Sequence, residues 1–381
     1  MGLRITTFNV EWMNDFFYPD EPRLKTSHKK GRYTGPEIKD VPALCSRIQG
    51  TIREVDPDIL GIVEGPKLPS QMEKFVQEYL KDQSGNPIYD VVASPSERAQ
   101  RQYLLVKRGT ATPVRTLYDE PRYGKMVERW KFYPWGAYMP AEAKPHTFFR
   151  HPLVAELQID ARRLTIILLH IKSKYTGLKQ SETKEYYEKS ILARQEITSE
   201  MKKVREYLDD ALTEEMTRSI VVMGDMNDGP GRDKFEAEFM LQNLVDVIQG
   251  TLLNPELNVY HVLENLQTDA YSLEYEDQEE AGKKKRELID HILMAPECSS
   301  TRPNSRTRKA QEKWNTQHGK TTLALTRTMS AMTDQATTDQ SHAKYWFRKT
   351  LTSVEISSLP QVFGDDRIEE LPAYGHQEPF R

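Results

Sequence analysis

Polar side chains recur at the ends of apolar runs in this 381-residue chain. They are Asn9 and Glu11, Glu64, His170 with Lys172 and Lys174, Asp225 and Asn227, and Asp290 with His291. In an extended chain residues i and i+2 face the same side. Asp225 and Asn227 can therefore point together into one site, as can Asn9 and Glu11. His170, Lys172 and Lys174 line one edge if their strand continues. Carboxylate and amide oxygens suit a hard divalent cation, and a carboxylate near such a cation can accept a proton from water. Each residue alone has a plainer explanation: a strand-end carboxylate for Glu64, a core histidine for His170, a turn-former before Gly229 and Pro230 for Asp225, a partner of the basic run 283–286 for Asp290. One shared site at the rim of a sheet accounts for all of them together.

The elements that would position these groups are short apolar runs. They are "LRITTFNVEW" (3–12), "DILGIVEG" (58–65), "YDVVAS" (89–94), "YLLVKR" (103–108), "LVAELQI" (153–159), "LTIILLHIKSK" (164–174), "SIVVMGDMN" (219–227) and "ELIDHILMA" (287–295). Their length and β-branched content predict buried strands. Helical periodicity appears at 41–55, at 69–82 with Ser70 as a candidate cap, and at 184–212. Several neighbouring strands are separated by only a short turn. That mix predicts an α/β four-layer sandwich, two mostly antiparallel β-sheets flanked by helices, with the site on one edge. Residues 274–287, acidic then basic, are expected to form an exposed loop. Residues 299–340 lack a period and read as an insertion or a poorly ordered tail.

Bulk composition narrows the function. The net charge is −4 with 29% charged residues, so a phosphate-bearing partner must be held by a local patch or by metal ions. Cys45 and Cys298 cannot build a disulfide framework, and read as one buried and one loop thiol. No run approaches the ~18 apolar residues of a membrane span, and "MGLRITTFNVEW" does not read as a secretory signal. A cytoplasmic location without membrane association is expected.

The stretches "TFNVEWM" (7–13), "PDILGIVEG" (57–65), "LLHIKSK" (168–174), "GDMND" (224–228) and "LIDHIL" (288–293) resemble, in type and order, the endonuclease/exonuclease/phosphatase superfamily with its deoxyribonuclease-I-like fold. The resemblance spans about residues 3–295, and "HIKSK" and "GDMNDGPGRDKFE" look most like bacterial nuclease-like members. It implies a divalent-metal-dependent phosphodiester hydrolase acting on DNA or RNA, with Mg²⁺ or Mn²⁺ as cofactor and nucleic acid or another phosphate ester as partner. It also implies roles. Glu64 is the main metal carboxylate, Asn9 its neighbour on the metal or the phosphate, and Asp290 the late aspartate that completes the metal region or orients the final histidine. Asp225 orients or deprotonates water, and His170 donates on the phosphate side. Asn227 contacts phosphate or water, and Arg150 faces the phosphate. By their charge alone, Lys172 and Lys174 could hold a flanking phosphate, and exposed strand-end charge accounts for them equally well. Arg98 and Tyr103 compete with Arg150 for the phosphate. Trp130, Tyr133, Trp135 and Tyr138 could stack on bases, although a hydrophobic loop plug is the preferred reading. Two alternatives stay open: a phosphatase of small or lipid esters, and a binding module that retains the metal residues without catalysis.

The family's closing Ser-Asp-His-x-Pro is missing. "TDQSHAKYWF" (338–347) offers His342, with Ser341 in the aspartate's place; "LPAYGHQEPF" (371–380) offers His376, with Gly375 there. A strand at 351–360 favours His376 as the catalytic histidine, the apolar run after His342 favours that one, and neither is a third reading. The chain divides accordingly into a catalytic domain at 1–297, an atypical polar insertion or tail at 298–350, and a C-terminal completion of the same domain at 351–381.

Overall fold

A computed structural model of the chain describes residues 3–31, 34–35, 37–96, 100–134, 136–178, 183–262, 271–276, 284–295, 348–349 and 352–356. Its strands are β1 (Leu3–Asn9), β2 (Ile59–Gly65), β3 (Tyr89–Ala93), β4 (Arg101–Lys107), β5 (Thr112–Thr116), β6 (Trp130–Phe132), β7 (Lys144–His146), β8 (Leu153–Ile159), β9 (Arg162–His170), β10 (Ile220–Asp225), β11 (Tyr260–His261), β12 (Leu273–Glu276), β13 (Lys284–Glu287), β14 (Asp290–Met294), β15 (Arg348–Lys349) and β16 (Thr352–Ile356). Its α-helices are α1 (Val41–Val55), α2 (Pro69–Tyr79), α3 (Pro121–Val127), α4 (Lys184–Glu214), α5 (Lys234–Glu238) and α6 (Leu244–Gln249).

The fold is an α/β four-layer sandwich. One sheet runs β16-β1-β2-β4-β3 and the other β11-β14-β10-β9-β8-β5. Each is antiparallel except at one central pair, β1 with β2 and β9 with β10. Alternation along the strands decides which layer each side chain joins. Leu164, Ile166 and Leu168 of β9 meet Val221 and Met223 of β10 and Leu3 and Ile5 of β1 between the sheets. Ile167 and Leu169 point the other way, with Val222, onto Ile197, Met201, Val204 and Leu208 of α4. Phe8, Leu60 and Ile62 cover the far face of the first sheet under Leu44, Ile48 and Ile52 of α1 and Phe75 of α2. The sheets approach closely at Gly61, where a Cβ would sit 2.7 Å from Leu168 and 2.8 Å from Met223.

Some local expectations change. Pro69 opens α2 with Leu68 ahead of it, and the Gln71 side chain accepts from the Leu68 amide at 3.1 Å. Ser70 is therefore inside the helix and does not cap it. The charged segment at 274–287 contains paired strands rather than a loop throughout. Glu274 stands opposite Arg286 and Glu276 opposite Lys284. The Glu274 carboxylate accepts from Lys284 at 3.1 Å and from Arg286 at 2.9 Å, so opposite charges meet across the ladder. At the other end of the chain, β16 pairs antiparallel with β1 and extends the first sheet. Residues 299–340, Cys298, Arg98, Trp135, His342 and His376 lie outside the described residues. Cys45 is buried in α1 as a free thiol, and burial pushes its pKa up to about 12.

Candidate active site

The two central parallel pairs end on the same rim of the sandwich, and the site is built there. β1 ends at Asn9, β9 at His170 and β10 at Asp225. Asp225 is the cross-strand partner of His170 on one side and of Asp290, the first residue of β14, on the other. The odd-numbered alternation of β10 keeps Asp225 on the inner face with Val221 and Met223.

Glu64 reaches the same place by breaking its strand's alternation. Leu60 and Ile62 face the helices, so a regular strand would send Glu64 there too. Instead the pairing of β2 with β4 shifts between Ile62 and Gly65, and Glu64 adopts φ 58°. A bulge and a left-handed residue together redirect a side chain in this way, at a cost in backbone strain. Gly224 marks a second tight point. A Cβ on it would lie 2.0 Å from the Leu169 carbonyl oxygen, so only glycine lets β10 approach β9 just before Asp225.

Asn9 joins the two sheets. Its Nδ2 donates to Glu64 Oε1 at 2.9 Å and to Asp225 Oδ2 at 2.8 Å. Its Oδ1 accepts from the Glu11 amide at 2.9 Å. The second Glu64 oxygen accepts from the Trp12 amide and from Gln100 Nε2, both at 3.1 Å. His170 Nε2 lies 4.0 Å from Glu64 Oε1. Glu64, His170 and Asp225 are 8%, 4% and 1% exposed, and their ligand atoms all lie within 4.8 Å of one another. Two buried carboxylates beside one another are costly without a cation. Oxygen donors with one imidazole nitrogen fit a divalent ion at this point.

The remaining sequence-derived residues divide. Asp290 is buried beside Asp225, with its amide bonded to Ser272 Oγ at 2.9 Å. Arg150 donates through Nη2 to Gln100 Oε1. Burial lowers its pKa, against the pull of the Glu64, Asp225 and Glu200 carboxylates. Asn227 is past the end of β10 with φ 53°. Its amide donates to Asp225 Oδ1 at 2.9 Å and its Nδ2 to the Ile171 carbonyl at 2.8 Å, so it shapes the turn that carries Asp225.

The two lysines depart from expectation, because β9 stops at His170 and the i, i+2 rule stops with it. Lys172 Nζ lies 3.0 Å from Glu196 on α4. Lys174 is surrounded by Asp228, Asp233 at 2.9 Å and Glu236 at 2.7 Å. Burial works to lower the Lys174 pKa, and the three carboxylates outweigh it and raise it. An ammonium enclosed by three carboxylates cross-links the 228–236 turn. Tyr103 is buried and bonds the Pro66 carbonyl at 2.7 Å, which makes it a packing residue. His291 points away from Asp290's side, onto His261 at 2.7 Å and the Asp228 carbonyl at 2.7 Å.

Gln100 had no sequence signal, since nothing in a lone glutamine before a strand marks it. Its φ of 62° and its two hydrogen bonds place it between Glu64 and Arg150. Glu200, in mid-α4, is likewise buried beside the rim. It binds His146 at 3.0 Å and the Lys172 amide at 3.2 Å.

No protein-family model matches the sequence, and no curated protein does. Solved structures similar to the chain include a humanized D. rerio TDP2 carrying 14 mutations, at 15% identity over 77% of this chain and 83% of that one with a TM-score of 0.40. The human Nocturnin catalytic domain with bound sulfate matches at 10% identity over 78% and 83%, with a TM-score of 0.40. An endonuclease/exonuclease/phosphatase family protein from Bacteroides thetaiotaomicron matches at 10% identity over 93% and 97%, with a TM-score of 0.41. None of these carries over a substrate; what the site can do depends on the side chains it holds.

Proposed function

We propose that this chain is a divalent-metal-dependent phosphodiester hydrolase of the endonuclease/exonuclease/phosphatase type, acting on nucleic acid. The observation that carries the reading is the convergence of Asn9, Glu64, His170 and Asp225, from both sheets, around ligand atoms within 4.8 Å of one another.

Glu64 would hold Mg²⁺ or Mn²⁺ where its carboxylate faces Asp225 and His170, with Asn9 bonded to both carboxylates and Asp290 next to Asp225 across the β10–β14 pair. Such an ion neutralises the phosphoryl oxygen and the charge that develops on it. Asp225 is fixed through Asn9 and the Asn227 amide, and would accept the proton of the attacking water. His170 would donate a hydrogen bond to the phosphate from the β9 end. Arg150, anchored on Gln100, adds positive charge beside the two carboxylates. None of these roles depends on His342 or His376.

The test is a substrate panel. Full-length protein is incubated with single-stranded DNA, RNA, plasmid and sugar or inositol phosphates, with Mg²⁺ or Mn²⁺ and with a chelator. Metal-dependent cleavage of a polynucleotide, stopped by chelator, supports the reading. Release of phosphate from small esters alone shifts it to a phosphatase. Salt-sensitive binding without turnover shifts it to a binding module.

A further inference from the structure

Gln102 stands where an apolar residue would be expected. Leu104 and Val106 of β4 point between the sheets, and by strand alternation Gln102 shares their side. It is 1% exposed, and an amide buried in such a layer is costly without a partner. Its Oε1 accepts from the amide of Leu153, the first residue of β8, at 3.0 Å. Its own backbone is held by Ser94, whose amide donates to the Gln102 carbonyl at 2.9 Å. Gln102 therefore ties one sheet to the other, as Asn9 does between β1 and β10.

The tie falls at the rim. Arg101, the residue before Gln102, is the cross-strand partner of Gly65, just after Glu64. Leu153 is the partner of Leu168, two residues before His170. The chain from Arg150 to Leu153 is gripped three times. Gln100 accepts from the Arg150 guanidinium, Gln102 accepts from the Leu153 amide, and the hydroxyl of Tyr123 on α3 donates to the Pro152 carbonyl at 3.0 Å. Burial raises the Tyr123 pKa, so the hydroxyl keeps its proton for that bond at neutral pH. Pro152 itself has a fixed φ. The aromatic loop ahead of Arg150 is open instead: Tyr133 and Tyr138 are 54% and 87% exposed, so they do not plug it as the sequence suggested. A free arginine samples many rotamers, and its fork of donors counts in a transition state only where it is already aimed.

We propose that Gln102 and Tyr123 are positioning residues for Arg150, aiming its guanidinium at the phosphate without touching substrate themselves. This deepens the hydrolase reading and rests on it for the place of the phosphate. Both bonds end on the chain beside Arg150, so their loss should lower turnover and leave metal affinity as it was.

The test is a double-mutant cycle. Gln102→Met and Tyr123→Phe are each made in wild type and in Arg150→Met. Cleavage of an oligothymidylate is measured in Mn²⁺, its binding by fluorescence anisotropy in chelator over a range of salt, and Mn²⁺ affinity by calorimetry. Gln102→Met should lower kcat by about 10- to 100-fold and Tyr123→Phe by about 3- to 10-fold, since a small misplacement far from the chemistry is enough. Mn²⁺ affinity should not change. In the Arg150→Met background each should cost less than about twofold. Gln102→Met removes no charge, yet it should make the salt dependence of binding shallower, as Arg150→Met does by about one unit of slope. Equal losses in both backgrounds, or losses in Mn²⁺ affinity instead of turnover, overturn the brace and leave the hydrolase reading standing. If wild type binds the strand without cleaving it, the hydrolase reading falls and the same cycle on binding affinity decides the brace: losses confined to proteins that keep Arg150 support it, and equal losses overturn it. Wild type that neither binds nor cleaves overturns both. Should Gln102→Met fail to fold, Tyr123→Phe carries the same comparisons.

Discussion

Asn9 and Asp225 are 216 positions apart and belong to different sheets, yet Asn9 Nδ2 lies 2.8 Å from Asp225 Oδ2. The same nitrogen reaches Glu64, so one amide links both carboxylates. Replacing Asn9 by Ala removes two hydrogen bonds to charged groups, each on the order of 1.5–3 kcal/mol. The variant should unfold at lower urea concentration and lose about 10²- to 10³-fold in kcat. Replacing Asn9 by Asp adds a third anion and should make stability depend on added Mn²⁺. Urea melts with and without the metal check both.

Gln100 links Arg150 to Glu64. Gln100→Leu keeps the volume and removes both bonds. It should raise the Mn²⁺ concentration needed for half-maximal activity and lower kcat by about tenfold, with little change in melting temperature. Gln100→Glu keeps an acceptor for Arg150 but sets a carboxylate against Glu64, and should be the worse of the two. Activity against Mn²⁺ concentration for the three proteins separates these outcomes.

Lys174 is a cross-link for the turn after Asp225. Lys174→Met strands Asp228 and Glu236 without their cation, while Asp233 keeps Arg194 at 2.7 Å, and breaking such a buried pair costs about 3–5 kcal/mol. Stability should fall by that order, while the salt dependence of oligonucleotide binding should stay as in wild type. A lysine holding a flanking phosphate would give the opposite pattern, a weaker salt dependence and an unchanged melt.

Stability should also fall in mild acid. Burial first, and then the adjacent His291 ring, pushes His261 down to about 3. The unfolded chain takes up its proton near the ordinary histidine value of about 6.5. A depressed folded pKa gives stability that is present above the unfolded value and lost as pH falls below it. Between pH 6.5 and 5 the loss is about 2 kcal/mol for this histidine. Thermal melts at pH 8, 6.5 and 5 should show it, and His261→Gln should flatten the slope.

The sandwich was legible because its apolar runs are short, β-branched and separated by helices of clear period, as at 41–55 against Val41–Val55. Glu64, His170 and Asp225 were legible for the same reason, each following an apolar run, whereas Asp290 opens β14 instead of closing a strand. Three things were hidden. The i, i+2 rule was extended past Asn9, His170 and Asp225, where the strands stop, so Asn227, Lys172 and Lys174 turn elsewhere. The bulge that turns Glu64 inward depends on the β4 partner and leaves no periodic mark. Gln100 and Glu200 act through contacts 36 or more positions away, or 28 in the case of the Lys172 amide, which no local pattern encodes.

The account stands on a cation held where Glu64, His170 and Asp225 meet. Calorimetric titration of Mn²⁺ into the full-length protein tests it most directly, with Glu64→Gln and Asp225→Asn alongside. Wild type should bind the ion in a saturable event, and each variant should weaken it at least tenfold with an unchanged far-UV spectrum. Binding of equal strength in all three proteins, or none in wild type, would contradict the account.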